Sequence, residues 1–355
     1  MDNGIQEVLD TTAFINGPQV KRFANEFANY LGSKRVIPCA NGTDALQIAM
    51  MALGLKPGDE VIVPAFTYVA TAEVIALLGL VPVMVDVDAD TFNINVEAIT
   101  AAITPKTKAI VPVHLYGQAA DMEPIMAIAE KHQLFVIEDN AQAIGSDYTY
   151  RDGRKVKSGT IGHIGCTSFY PSKNLGAYGD GGAIMTNDES LGELIHKIAN
   201  HGQSVRYYHD VVGCNSRLDS IQAVVLSAKL PHLDDYCQAR IKVADYYDAA
   251  FADVDDLETP FRASYTTHVF HQYTLKVKNG KRDELKKYLE SHGIPSMIYY
   301  PVPLYKQEAF KSTSKDNMSL PNTEILCKEV ISLPIHTEMS EAQLQYICEK
   351  VNAFF

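Results

Sequence analysis

The sequence has no tryptophan, no CxxC pair and no apolar run of the ~20 residues that a membrane-spanning helix needs. Its six cysteines (Cys39, Cys166, Cys214, Cys237, Cys327 and Cys348) are scattered. That argues against a disulfide scaffold and a cysteine-based zinc site, and the thiols read as reduced and mostly buried. The histidines show no HExxH or HxxxH spacing, so a metal site has little sequence support. Basic residues are in short supply. Lys and Arg number 31 against 43 Asp and Glu, a net charge of −12. A negative chain does not attract phosphate backbones, so nucleic acid is not an expected partner. Neither GxxxxGK[ST] nor a GxGxxG after the first strand is present, which counts against ATP and NAD. The start, MDNGIQEVLD, lacks a signal peptide's apolar stretch. A cytoplasmic protein with no membrane partner is expected. The helical pattern over 4–9 suggests that a native leader is missing.

What is present is an ordinary globular composition, 46% hydrophobic and 21% charged, over 355 residues. At roughly 100–200 residues per domain this suggests about two domains. The first two-thirds alternate short apolar runs with amphipathic stretches. Strands are expected over 35–39, 61–66, 81–87, 109–115, 134–138, 166–169 and 183–186. Helices are expected over 44–53, 70–78, 96–103 (capped by Asn95), 122–132 and 189–200. Such alternation predicts an α/β fold with a mostly parallel sheet, its ligand site at the carboxyl ends of the strands. Pro38, Pro64 and Pro112 sit near the ends of apolar runs and are expected to mark where strands leave the sheet. The loops after them, CANGTD, AFTYVAT and HLYGQ, are expected to share one edge and build one site. Near residue 233 the pattern changes to a long helix (234–251), a strand (271–277), a helix (282–292), a further segment (325–333) and a closing helix (341–355). The expected division is a large domain over 1–232 and a small α+β domain over 233–355.

Three stretches carry chemistry. Asn41-Gly42-Thr43-Asp44 lies between a strand and a helix. It reads either as a plain N-cap or as an anion site, where helix-start amides and glycine admit a phosphate. Phe135-Val-Ile-Glu138-Asp139 is an apolar strand running into two carboxylates. A carboxylate buried there needs a cation, such as a metal or a protonated pyridine nitrogen, unless it merely caps the next helix. Ser168-Phe-Tyr-Pro-Ser172-Lys173, followed by a glycine-rich turn, places a lysine just after a strand. A desolvated lysine becomes a nucleophile able to condense with an aldehyde, and Ser168 could bind a phosphate. Together with aromatic Tyr68, these are the parts pyridoxal 5′-phosphate needs: an anion site, a pyridinium partner, an aldehyde partner and a stacking face.

The motifs CANGTDALQIAMMALGLKPGDEVIVPAFTYVATAEV, VHLYGQAADM, VIEDNAQAIGSDY, TSFYPSKNLGAYGDGGAIMTND and NSRLDSIQA resemble the DegT/DnrJ/EryC1/StrS family of sugar aminotransferases. The resemblance runs from about Phe14 to the C-terminus. It implies a PLP-dependent transferase of the aspartate aminotransferase-like fold type I. It further implies that Lys173 carries the cofactor and that Asp139 partners the pyridine nitrogen. Tyr68 stacks on the ring, Gln142 lies near the ring hydroxyl, and Gly42, Thr43 and Ser168 hold the phosphate. Asn215 reaches the neighbouring subunit's cofactor, which implies a homodimer with shared active sites. The family usually has a further N-terminal segment before the region matching Gly4.

The implied reaction is transfer of an amino group from L-glutamate to a keto group of a nucleotide-linked sugar, with pyridoxamine 5′-phosphate as the intermediate form. The similarity favours UDP-2-acetamido-2-deoxy-3-oxo-glucuronate, a precursor for surface polysaccharide, over a dTDP-3-oxo-6-deoxyhexose or a 4-keto sugar. Arg206, Tyr299 and Tyr300 are the candidate sugar contacts, because a uronate needs a cation. Two rivals are an amino-acid aminotransferase and a non-enzymatic PLP-binding regulator. The first needs an arginine for the α-carboxylate, and Arg262 and Arg282 lie in no obvious pocket motif.

Overall fold

The computed structural model describes residues 1–311 and 318–355. Its centre is a seven-stranded sheet built from β1 (Arg35–Cys39), β2 (Glu60–Pro64), β3 (Val81–Val85), β4 (Thr107–Ile110), β5 (Phe135–Asp139), β8 (Ile164–Ser168) and β9 (Gly182–Thr186). The hairpin of β6 (Asp147–Thr149) and β7 (Lys155–Lys157) lies between β5 and β8 in the chain. The strand order is β1-β9-β8-β5-β4-β2-β3, and β9 alone runs against the others. The expected α/β fold with a mostly parallel sheet is therefore present. Strands covered on both faces should be apolar almost throughout. β2 accordingly buries Val61 to Pro64, and β5 buries Val136 to Asp139.

Helix Gly42–Ala52 shows the same logic, with Ala45, Leu46, Ile48, Ala49, Met50 and Ala52 all buried. Asn95 caps helix Val96–Ala102 as expected, its Oδ1 accepting from the Ala98 amide at 2.8 Å.

Pro64 and Pro112 stand where their strands leave the sheet, as expected, and Pro38 does not. Pro38 lies within β1, paired opposite Ala183. β1 is an edge strand, where a missing N–H costs little. The strand expected over 109–115 ends at Ile110. Pro112 cannot donate, and pairing continues only through the Val113–Asp139 bridge before a tight turn at Leu115–Gly117. Helices Pro18–Leu31 and Ser220–Lys229, which pack on each other, were not among the expected elements.

Farther on come the hairpin of β10 (Gln203–Val205) and β11 (Tyr208–His209), then a second sheet of β12 (Leu257–Glu258), β13 (Tyr273–Val277) and β14 (Val330–Leu333), all antiparallel. Segment 325–333 divides into the end of helix Pro321–Glu329 and strand β14. The second sheet has its own core, including Tyr247, Phe251, Leu275, Leu289, Ile331 and Val351. Leu304, Tyr305 and Phe310, from the C-terminal third, pack into the core of the first sheet instead. Among the described residues no helix is long and apolar enough to cross a membrane.

Candidate active site

The carboxyl ends of the parallel strands open into a cavity of about 820 Å³. The three loops that follow the proline-marked runs all reach it, through Asn41 to Asp44, through Thr67, Tyr68 and Ala70, and through Val113 with Tyr116. This is the shared edge the sequence implied. Asp139, Gln142, Ser168 and Lys173 line the same cavity, as do Tyr299 and Tyr300.

The anion end is the start of helix Gly42–Ala52. The first amides of a helix have no acceptor within it. Asn41 Oδ1 takes that of Asp44 at 2.8 Å, so the residue does cap the helix. The cap leaves the Gly42 and Thr43 amides for a ligand. Ser168 closes this end from the tip of β8. A Cβ at position 42 would stand 2.8 Å from Ser168 Cβ, so only glycine permits this approach.

The acid end is Asp139, the last residue of β5 and only 6% exposed. Its Oδ2 accepts from the Thr71 hydroxyl at 2.8 Å and its Oδ1 from the Ala141 amide at 3.2 Å. Burial pushes its carboxyl up. Those two donors and the charges of Lys173 and His114 oppose the shift. The neighbouring Glu138 points elsewhere. It accepts amides of Gly159, Ile161 and Gly162 and sits 2.9 Å from His114 Nε2, which locks the end of β5.

Lys173 follows β8 in a tight turn, its amide donating to the Tyr170 carbonyl at 2.8 Å. Burial lowers its amine to about 8, and the Asp139 charge opposes that lowering. Gln142 is held at both ends, accepting from the Tyr116 amide at 2.8 Å and donating to the Tyr300 hydroxyl at 3.1 Å. Tyr68 is 57% exposed at the cavity mouth, its ring centre 6.3 Å from that of Tyr300.

Two expected residues stand apart. Asn215 is exposed, pairs by a single bridge with Asn200, and does not line the cavity of its own chain. Arg206 is exposed on the β10–β11 turn, 5.1 Å over the Tyr207 ring, and is also outside the cavity. Arg262 pairs with Asp245 and Asp248, and Arg282 bonds the Cys327 and Val330 carbonyls, so neither faces the site. Three residues were not anticipated: Thr71, Tyr116 and His271. Thr71 and Tyr116 lie inside the quoted AFTYVAT and HLYGQ loops but carry no spacing signal of their own.

The residues present fit pyridoxal phosphate. A cradle at Gly42 and Ser168 that a Cβ would fill, a buried acid and a desolvated lysine share one enclosure. The class is that of PLP-dependent aminotransferases on the fold type I architecture, and the relatives agree. The chain belongs to the DegT/DnrJ/EryC1/StrS aminotransferase family, whose sequence model matches residues 1–352. It is 48% identical over 353 residues to a pleiotropic regulatory protein of Geobacillus stearothermophilus, covering 99% of this chain and 93% of that one. It is 47% identical over 348 residues to a UDP-2-acetamido-2-deoxy-3-oxo-D-glucuronate aminotransferase of Pseudomonas aeruginosa, covering 98% and 94%. A UDP-N-acetyl-3-dehydro-alpha-D-glucosamine 3-aminotransferase of Acidithiobacillus ferrooxidans is 46% identical over 344 residues, covering 97% and 90%. Among solved structures, a family aminotransferase from Brucella abortus superposes with a TM-score of 0.94 at 43% identity, covering 99% and 94%. The NtdA structure from Bacillus subtilis, with bound cofactor PMP, gives 0.91 at 33%, covering 99% and 80%. The protein is a sugar aminotransferase that uses PLP.

Proposed function

We propose that this enzyme aminates C3 of UDP-2-acetamido-2-deoxy-3-oxo-glucuronate, with L-glutamate as donor, in the cytoplasm and for surface polysaccharide. The carrying observation is that buried Asp139 and half-buried Lys173 share one cavity with the helix start at Gly42 and Thr43 and with Ser168. Bound PLP supplies an aldehyde to take the amino group and a ring to accept electrons. Lys173 holds the cofactor and then moves the proton at the donor α-carbon. An amine titrating near 8 suits both directions, because it is neither locked on nor locked off near neutral pH. Asp139 holds a proton at the ring nitrogen, since a cationic N–H relieves the cost of its buried charge. Gly42, Thr43 and Ser168 bind phosphate, Gln142 meets the ring hydroxyl and Tyr68 covers the ring face.

Among the described residues lining the cavity, Lys173 is the one lysine or arginine. A uronate carboxylate therefore draws its cation from outside this chain's own wall. We read this as support for a homodimer in which Asn215 and Arg206 serve the neighbouring cavity, while Tyr299 and Tyr300 contact the sugar from within. The division into domains over 1–232 and 233–355 belongs to the same reading. The test is a panel of nucleotide-linked 3-keto and 4-keto sugars, with and without a C6 carboxylate, each offered with glutamate and scored by product mass. Amination of the UDP-linked 3-keto uronate above the others is expected. Preference for a dTDP-3-oxo-6-deoxyhexose or a 4-keto sugar overturns the substrate assignment.

A further inference from the structure

His271 is a polar side chain in the cavity that the proposed mechanism leaves unused. It lines the cavity together with Lys173 and is only 7% exposed. Its Nδ1 is sealed from solvent and has no hydrogen-bond partner, and no described residue bonds Nε2. The ring therefore meets the cavity through the edge that carries Nε2. Its backbone is fixed from three sides. Arg240 Nη1 donates to the carbonyls of Phe270 at 3.1 Å and His271 at 3.4 Å. Gly117 lies against the segment so closely that a Cβ there would stand 2.8 Å from the His271 nitrogen. Asn174, next to Lys173, donates from Nδ2 to the Val269 carbonyl at 3.0 Å, which ties the lysine turn to the histidine segment.

The chemistry of the ring follows. Burial, with the charges of Lys173 and Arg240 added, holds the imidazole neutral. A neutral ring has one N–H and one bare nitrogen. Orphaned buried N–H groups are rarer than orphaned acceptors, so the bare nitrogen is the sealed Nδ1 and the proton sits on Nε2. The cavity wall thus presents a fixed, uncharged donor beside the lysine that works at the donor α-carbon. The nearest oxygen acceptors to that carbon are two bonds away, on the donor's own carboxylate. A carboxylate brought against a wall whose described residues from this chain include no arginine needs such donors.

We propose that His271 recognises the amino donor, donating a hydrogen bond from Nε2 to the α-carboxylate of the α-amino acid. This rests on the reading of the protein as a glutamate-dependent aminotransferase. The experiment uses the PLP-loaded enzyme and the variants His271→Phe and His271→Gln. Binding of α-methylglutamate, which cannot lose an α-proton, is measured by calorimetry. The two half-reactions are then followed separately by absorbance. His271→Phe is expected to weaken α-methylglutamate binding about 10- to 100-fold, the usual worth of a hydrogen bond to a charged group. It should slow the glutamate half-reaction to match while leaving the keto-sugar half-reaction within about 3-fold. His271→Gln, which keeps an N–H donor, should recover most of the affinity, and circular dichroism should be unchanged in both. Unaltered α-methylglutamate affinity in His271→Phe overturns the assignment. An equal loss in both half-reactions also overturns it, because that pattern marks a residue acting through Lys173. If the wild-type enzyme reacts with neither glutamate nor any keto sugar, it is the functional reading that fails instead.

Discussion

The floor of the cavity and the β10–β11 hairpin, a rim that lies outside the cavity of its own chain, are built on opposite plans. The floor places Asp139 and Ser168 at strand ends and Gly42 at a helix start, on a sheet whose neighbouring residues Ile137, Cys166 and Ile184 are essentially inaccessible. The rim is the β10–β11 hairpin, two short strands that leave Val205, Tyr207 and Tyr208 exposed. A hairpin alone is marginal in water, and clustered exposed apolar side chains mark a contact surface. Proton transfer needs groups fixed to fractions of an ångström, and close-packed elements supply that. The rim needs no such support within the chain if a second copy covers it.

The largest effect expected lies in the floor. Lys173→Ala should reduce turnover by about 10⁴-fold while circular dichroism stays the same. Mixing it with Asn215→Ala subunits should restore part of the activity if rim and floor come from different copies. Failure of every mixture would break the contrast. Gly42→Val should raise the PLP dissociation constant about 10- to 100-fold through overpacking against Ser168, with activity returning at saturating cofactor. Fluorescence titration reads the first outcome and steady-state rates the second. In the rim, Arg206→Ala should leave PLP affinity alone. It should lower kcat/KM about 10-fold for a uronate sugar and within about 2-fold for its neutral analogue. Equal losses on both sugars would mean that Arg206 reads no carboxylate.

The smallest effect is a titration. In cofactor-free protein the Lys173 amine is held near 8, so amine-selective labelling at this position should rise through that pH, well below the usual lysine range. The Asp139 charge raises this value, so Asp139→Asn should move the labelling midpoint to lower pH. Peptide mass mapping reads both, and a midpoint near the ordinary lysine value would contradict the burial argument.

Much of the floor was readable along the chain because each part is a local unit. A strand such as β5 announces itself by four consecutive buried positions. Asn41 caps the helix that starts at the next residue by accepting the amide three residues on, and Lys173 stands five residues past the last residue of β8. Of the three prolines, Pro64 and Pro112 marked strand ends and one did not. Pro38 stayed within its strand because β1 lies at an edge, a fact of sheet order that no local pattern contains. Thr71 and Asp139 meet across 68 residues, and Gln142 and Tyr300 across 158. His271 showed no motif at all.

The chain's own order of residues determined the alternation of strands and helices, the family and the positions of lysine, acid and glycine-led helix start, since these depend on short-range periodicity and on residue chemistry. Only the tertiary structure decided which distant groups complete the site: the hydroxyl of Thr71 on the acid, the imidazole of His271 beside the lysine, and the absence of arginine from the lining of a single chain's cavity among its described residues. Those depend on which strands become neighbours and how closely their loops pack, and burial, not sequence separation, sets the charge each group can carry.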